Sequence, residues 1–371
     1  MLAPTLLYGC GGAVASDTPV RHDSANIASM GNALAVNQEW LMPDESDSHR
    51  ATWMAFSVSE AIWGRRLRSQ VQDALARIAN TIVEFEPLNM LVSQQDLDLA
   101  KQKCDPRVNY IVQETNDLWI RDTGAVFVFD KSGNKAGVNF NFNGWGNKQI
   151  HDFDSQVAAA MTGRVGVPLL PAAVVMEGGG IEVDGEGTAI VTESCVLNPN
   201  RNPDLSKTDC EKALQKVLGV RKVIWLPGIA GSDITDGHTD FYARFARPGV
   251  VLANADPDTS SIEYQVTQSH LQILQQSRDA EGRPLQVIPL SPPRTIRPEF
   301  DNKDFAAGYI NFYICNGAVI MPEFGDTIAD ERAKKILAQQ FPTRRVIQLN
   351  IDPIAAGGGG IHCATQQEPA R

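Results

Sequence analysis

From Met42 onward, short apolar runs alternate with polar turns and amphipathic stretches in an order that repeats along the chain. Each copy reads as a strand, a turn rich in Pro, Asn, Asp or Gly, a helix with apolar residues three and four apart, and a second strand. Three copies are plain. Thr188 to Thr192 leads to a helix over Ser206 to Leu218 and a strand over Arg221 to Leu226. Gly249 to Ala253 leads to a helix over Ile262 to Ser277 and a strand over Gln286 to Leu290. Gly317 to Met321 leads to a helix over Ala329 to Gln340 and a strand over Arg345 to Leu349. Two looser copies precede them, one from Thr52 to Phe56 with a helix over Gly64 to Phe85, the other from Ala125 to Phe129 with a helix over His151 to Met161. Spacings such as Leu214, Val217 and Leu218 give each helix one apolar face to lay on a sheet.

Five copies about 60 to 75 residues apart are long enough to be a supersecondary module repeated around an axis. The expected fold is therefore α/β, a five-fold pseudosymmetric α/β propeller of strand-helix-strand modules. Closing such a ring brings the turn ends of distant modules to one centre, where loops on a rigid scaffold can carry chemistry. No low-complexity linker interrupts the modules, so residues 40–371 read as a single catalytic domain. Residues 1–39 are rich in Ser, Asp and Asn and read as a leader or mobile arm. Within them Leu7-Tyr8-Gly9-Cys10 is similar to a bacterial lipoprotein cleavage box, although no basic segment precedes it. A cytoplasmic location and tethering to the cell envelope through Cys10 both stay open.

Composition narrows the function classes. With 371 residues, 43% of them hydrophobic, the chain can bury a large core. A formal net charge of -11 argues against nucleic acid as a partner, since that needs a basic stripe to release phosphate counterions. It suits a small cationic partner. No run of 18 apolar residues offers a membrane-spanning helix. The 6 cysteines are scattered without a C-x-x-C pair, so neither a zinc ribbon nor a disulfide framework is indicated. A homo-oligomer is left open.

Five local motifs hold the candidate chemistry. In Asn116-Asp-Leu-Trp-Ile-Arg-Asp-Thr-Gly124, Trp119 and Asp122 precede a tight turn, and Asp122 could accept two N–H bonds from a planar cation. An Asp paired with Arg121, or capping the turn, is the structural alternative. In Met176-Glu-Gly-Gly-Gly180, Glu177 sits at a strand end beside glycines that permit close backbone approach. Asp233-Ile-Thr-Asp-Gly-His-Thr-Asp240 places Asp236, His238 and Asp240 together, with His238 and Asp240 projecting to one side if the segment is extended. A histidine flanked by carboxylates is suited to proton transfer near neutral pH. Asn311-Phe-Tyr-Ile-Cys-Asn316 reads as a supporting strand. Finally, Gly357-Gly-Gly-Gly-Ile-His-Cys363 sets a thiol after backbone free to make unusual turns, with Gly358 and Gly359 near a ligand and a flexible tail as the alternative. His238, His362 and Cys363 lack the close spacing of known zinc sites, so no metal is expected.

Taken together the motifs resemble the agmatine deiminase and bacterial peptidylarginine deiminase family of guanidine-modifying enzymes. The likeness runs from Met42-Pro43 to Gln367 through Trp119-Ile-Arg-Asp-Thr-Gly124, Phe142-Asn-Gly-Trp-Gly146, Glu177-Gly-Gly, Leu197-Asn-Pro-Asn-Arg201, Gly237-His-Thr-Asp240, Asn311-Phe-Tyr313 and Gly357 to Cys363. The resemblance implies the pentein form of the five-fold propeller and a cofactor-free hydrolase. It also implies that Cys363 attacks a guanidinium carbon, His238 shuttles protons, and Asp122, Glu177 and Asp240 hold the substrate nitrogens. Trp119, Asp236, Gly358 and Gly359 would line the substrate site. Ser46 after the opening Met-Pro motif and Phe56-Ser57 after Trp-Met-Ala depart from the family's agmatine-directed members. Agmatine, free arginine and peptidyl arginine all stay open as substrates. A non-catalytic guanidinium-binding module is the alternative of another class.

Overall fold

In three consecutive modules an antiparallel strand pair is followed by a helix that returns the chain parallel to the second strand. The first of these runs Ile181–Val183, Thr188–Thr192, helix Lys207–Leu218 and Lys222–Leu226. The next runs Ala243–Arg247, Val250–Asn254, helix Ile262–Gln276 and Gln286–Leu290. The third runs Tyr313–Cys315, Ala318–Glu323, helix Thr327–Gln340 and Arg345–Asn350. The computed structural model describes residues 39–371, which form one unit. The leader and the Cys10 box lie outside the described residues.

The remaining two modules follow the same plan with additions. Val126–Asp130, Lys135–Asn139, helix Val157–Val165 and Leu169–Pro171 form one, with Trp40–Leu41 added at its edge. In the other, His49–Ala55, helix Glu60–Ile82 and Leu88–Val92 are extended by Asn109–Val112, and the antiparallel partner is the chain's last strand, Gln366–Pro369. That C-terminal strand supplies what the first module lacks, so pairing of the two chain ends completes the set of five sheets. The arrangement is the expected five-module α/β fold.

Local chemistry explains the helices. Lys207–Leu218 begins where the Ser206 side chain accepts from the Asp209 N–H and ends at Gly219 in the left-handed region. Its Cys210, Ala213, Leu214, Val217 and Leu218 are buried, the three-and-four pattern of a helix laid on a sheet. Ser261 and Asp326 cap Ile262–Gln276 and Thr327–Gln340 in the same way. Glu60–Ile82 is broken in its first turn by Gly64 at φ 68°, which sets Trp63 apart from the helix proper.

One expectation of strand order is corrected. The second module does not start its crossover from Ala125 to Phe129; that run pairs between Trp40–Leu41 and Lys135–Asn139, and the crossover leaves from Lys135–Asn139. Its Lys-Ala-Gly-Val-Asn carries too few apolar residues to announce a strand. Two antiparallel strands of the other modules, Ile181–Val183 and Tyr313–Cys315, are 3 residues long and give no period to read. The largest hydrophobic cluster joins Leu75, Ile78, Met90, Phe312 and Ile320 and reaches both Trp119 and Cys363. Each such side chain contributes about 1.5–3 kcal/mol on burial, so the site rests directly on the core.

Candidate active site

The thiol of Cys363 is held by a packed loop. A helical turn over Asp352–Ala355 ends at Gly357 to Gly360, where a Cβ on Gly357 would collide with the Trp63 indole and one on Gly359 with Trp119. The glycines therefore admit two aromatic rings rather than supplying a flexible tail. Arg121 N donates to the Cys363 carbonyl at 3.2 Å. Asn311, expected only to support, lies just before the strand Tyr313–Cys315, and its Nδ2 sits 3.2 Å from the Cys363 Sγ. Asp240 Oδ2 is 3.5 Å from the same sulfur. Burial, then Asp240 and Asp122, push the thiol well above its ordinary pKa, so the free protein carries it protonated.

His238 lines the same cleft as Cys363. Its segment is not a continuous strand: His238 is extended and caps a single turn over Thr239–Phe241. Nε2 of His238 is 3.1 Å from Glu177 Oε2, and Nδ1 is 3.7 Å from Asp122 Oδ1. Burial opposes a charge on the ring, but Asp122, Cys195 and Glu177 prevail and hold it well above its ordinary pKa. The imidazole is thus a cation ready to give a proton. Glu177 is wholly buried behind it, with Arg201 Nε donating to both carboxylate oxygens at 2.9 and 3.0 Å.

Asp122 and Asp240 differ in their partners. Asp122 accepts from Trp145 Nε1 at 2.9 Å and from Gly179 N at 3.0 Å. Burial pushes it up to about 6, with Asp240 and Glu177 adding to the rise and His238 opposing it. Arg121, the neighbour that could have neutralised it, pairs instead with Glu45 at 3.0 Å. Asp240 Oδ2 meets His362 Nδ1 at 2.7 Å, while its buried Oδ1 has no hydrogen-bond partner. Burial raises Asp240, yet His362, His238 and Arg244 outweigh it and keep the carboxyl below its ordinary range. Around the thiol therefore stand two buried carboxylates of unequal acidity and an imidazolium.

A family model of Porphyromonas-type peptidyl-arginine deiminases matches residues 41–369. The chain belongs to that family. The agmatine deiminase of Stutzerimonas stutzeri is 37% identical over 354 residues, covering 89% of this chain and 96% of the relative. The agmatine deiminase of Medicago truncatula is 35% identical over 360 residues, covering 89% and 96%. Among solved structures, the agmatine deiminase of Enterococcus faecalis superposes with a TM-score of 0.85 at 34% identity, covering 90% of this chain and 96% of that one.

The family's expected site residues fall into two groups. A cleft of about 1170 Å³ is lined by Trp119, Asp122, His238, Gly358, Gly359 and Cys363. Asp240 lies beside the sulfur. Glu177 stands behind His238, so its carboxylate orients the imidazole instead of meeting a ligand in the cleft. Asp236, expected to touch substrate, takes Arg201 Nη1 at 2.8 Å and Lys148 Nζ at 2.7 Å, with Asn200 and Gly231 N completing both oxygens. It anchors the His238 turn. Glu177, Cys195 and His238 offer ligand atoms within 4.8 Å of one another, but the Arg201 guanidinium already covers both Glu177 oxygens and repels a metal ion. Residues the sequence did not single out are Glu45, Trp145, Arg201, Arg244 and Cys195. Trp145 and Arg201 lie in motifs quoted for the family resemblance, which is the one signal that could have pointed to them.

Proposed function

We propose that the chain hydrolyses the guanidinium group of agmatine to N-carbamoylputrescine and ammonia through a covalent intermediate on Cys363, with residues 40–371 as one catalytic domain. The observation that carries this reading is a buried thiol flanked by Asp122 and Asp240, carboxylates with no Arg or Lys partner among the described residues. A guanidinium between them completes two charge-assisted contacts and gives Asp240 Oδ1 the donor it lacks. The same cation offsets the carboxylates that keep the thiol protonated, so substrate arrival favours the thiolate.

The steps then balance without a metal or organic cofactor. The Cys363 proton passes to solvent, and sulfur bonds to the guanidinium carbon as the C=N π pair moves onto nitrogen. The His238 imidazolium protonates one terminal nitrogen, the carbon–nitrogen bond breaks, and ammonia leaves a thiouronium. Water gives a proton to the now neutral His238 and adds to that carbon. The carbon–sulfur bond breaks, returning the thiol and a ureido product. Glu177 and Arg201 hold His238 in place throughout.

Substrate choice follows from the outer cleft. Its wall carries Asp233, Asp256, Asp258, Glu263 and Asp304 against Arg294 and Lys303, which favours an amine tail over a carboxylate. The relatives' activity supports the same choice. A second reading rests on size: about 1170 Å³ exceeds the roughly 300–1,000 Å³ common for small ligands, leaving room for arginine at a peptide end. Ammonia release from agmatine, free arginine and a peptide ending in arginine, with wild type and Cys363→Ser, decides. Agmatine is expected to be turned over fastest and the variant to be inactive. A fully active variant sinks the nucleophile assignment, and a best rate on the peptide selects the second reading.

A further inference from the structure

The opening Met-Pro segment reaches the centre of the molecule. Glu45, next to Pro43-Asp44, is 7% exposed, and its Oε2 meets His362 Nε2 at 2.9 Å. Its remaining acceptor sites are filled by Arg244 Nη2 at 2.8 Å, Arg121 Nη2 at 3.0 Å and Ile314 N at 2.9 Å. On the other side of the same imidazole, Nδ1 meets Asp240 Oδ2 at 2.7 Å. A buried line thus runs from two arginines through Glu45 and His362 to Asp240, and ends 3.5 Å from the Cys363 sulfur.

The ring stands between carboxylates at both nitrogens, and each hydrogen bond needs its own proton. Burial, then the fields of Arg121 and Arg244, outweigh the two carboxylates and hold the ring below its ordinary pKa, and the Asp240 contact is the shorter of its two. Neighbouring charges that face Asp240 are His362, His238, Arg244, Asp122 and the Cys363 thiol. Of these, only His362 makes a short polar contact with its carboxylate. Asp122 takes its short contacts from a Trp N–H and a backbone N–H, with His238 Nδ1 farther off at 3.7 Å, and it is the carboxyl that burial pushes up to about 6.

We propose that His362, braced by Glu45, is a positioning residue that fixes Asp240 by one oxygen, keeps it ionised and leaves the other oxygen for a guanidinium N–H. This rests on the deiminase reading for its substrate but not for its geometry. The two ring nitrogens can be tested separately. Asn at 362 places an amide donor near the position of Nδ1 and loses Glu45; Gln places one near Nε2 and loses Asp240.

The experiment compares His362→Asn with His362→Gln in the full chain, measuring kcat and KM on agmatine from pH 5 to 9. His362→Asn is expected to stay within about tenfold of wild type. His362→Gln is expected to lose about 100-fold in kcat/KM, chiefly through KM. Its kcat should stay within about threefold, because the lost contact holds the substrate and not the proton shuttle. A packing role makes the larger Gln at least as good as Asn, or lowers kcat and leaves KM in place; either result overturns the proposal. Iodoacetamide alkylation of Cys363 gives a readout that needs no turnover. Guanidinium ion should protect Cys363 from it about tenfold less well in His362→Gln than in His362→Asn, and equal protection also overturns it. If wild type turns over no guanidine, the functional reading falls while the alkylation result still judges His362. If both histidine variants fail to fold, Glu45→Gln is expected to raise KM by about tenfold with kcat within about threefold, and an unchanged KM overturns the proposal.

Discussion

Replacing Gly179 by Ala tests whether the backbone between Glu177 and Gly180 must lack a side chain for the site to assemble. A Cβ there would lie 2.7 Å from His238 Nδ1 and 2.8 Å from Asp122 Oδ1, with Asp240 Oδ2 at 3.1 Å. Ordinary contact starts at 3.4 Å, so the histidine and Asp122 must each retreat by about 0.6 Å. The next residue is the control. A Cβ on Gly180 would find Cys195 Sγ at 3.5 Å and His238 at 3.7 Å, both ordinary contacts, and neither glycine has a positive φ. Overpacking of this kind costs about 1–3 kcal/mol, and a displacement approaching 1 Å of reacting groups costs about 10²-fold in rate. Gly179→Ala is therefore expected to lower kcat/KM by about 10- to 100-fold and Tm by several degrees, roughly 2–4 °C per kcal/mol for a chain of this class. Gly180→Ala should stay within about threefold in activity, since surrounding atoms need not move. Steady-state ammonia release and thermal melts of both variants make the comparison. Wild-type kcat/KM in Gly179→Ala, or equal damage from Gly180→Ala, refutes the steric reasoning.

Other expectations follow from the charges. Burial pushes Asp122 up to about 6, so guanidinium binding should weaken below that pH, and kcat/KM on agmatine should fall by about tenfold per unit there; a flat profile from pH 5 to 8 contradicts this. The same group affects stability with the opposite sign to a salt-bridged carboxylate. Between its ordinary 3.8 and about 6 the folded state keeps a proton the unfolded chain has released, so its contribution declines as pH rises through that window. Arg201→Met leaves Glu177 buried without its cation and should destabilise by about 3–5 kcal/mol, read from the denaturant midpoint; a loss under about 1 kcal/mol contradicts the pairing. Because the Cys363 thiol is held high, iodoacetamide should inactivate slowly at pH 7. A haloacetamidine, cationic and of similar size, should react at least about tenfold faster, and equal rates would mean that the carboxylates do not recruit a cation.

What the chain reveals without coordinates depends on how far apart partners lie. Helices such as Lys207–Leu218 were legible because cap, apolar spacing and terminal glycine sit within a dozen neighbouring residues. Strands of 3 residues, such as Ile181–Val183, were not, since nothing periodic fits in so short a run. At the site, Cys363, His238 and Asp122 stood out by residue type beside turn-forming glycines. Asp236 stood out for the same reason, sharing the His238 motif, and its pairing with Lys148 and Arg201 could not be read from that motif. Glu45 and His362 are 317 residues apart, and only the pairing of the chain's two ends, through Gln366–Pro369 on His49–Ala55, brings such groups together.

The buried charges also say why a guanidinium, rather than another cation, suits this centre. Wherever a carboxylate near the thiol is fully engaged, the protein's own guanidinium engages it: Arg201 takes both oxygens of Glu177, and Arg121 with Arg244 takes Glu45. Asp122 and Asp240 are left without such a group, and the one buried carboxylate oxygen beside the sulfur that has no donor belongs to Asp240. A planar, five-donor cation satisfies two such carboxylates at once, which a compact ammonium cannot do with the same directionality. The site is then a pair of arginine-type ion pairs lacking its arginine. The substrate supplies that group in the place where its carbon faces the Cys363 thiol.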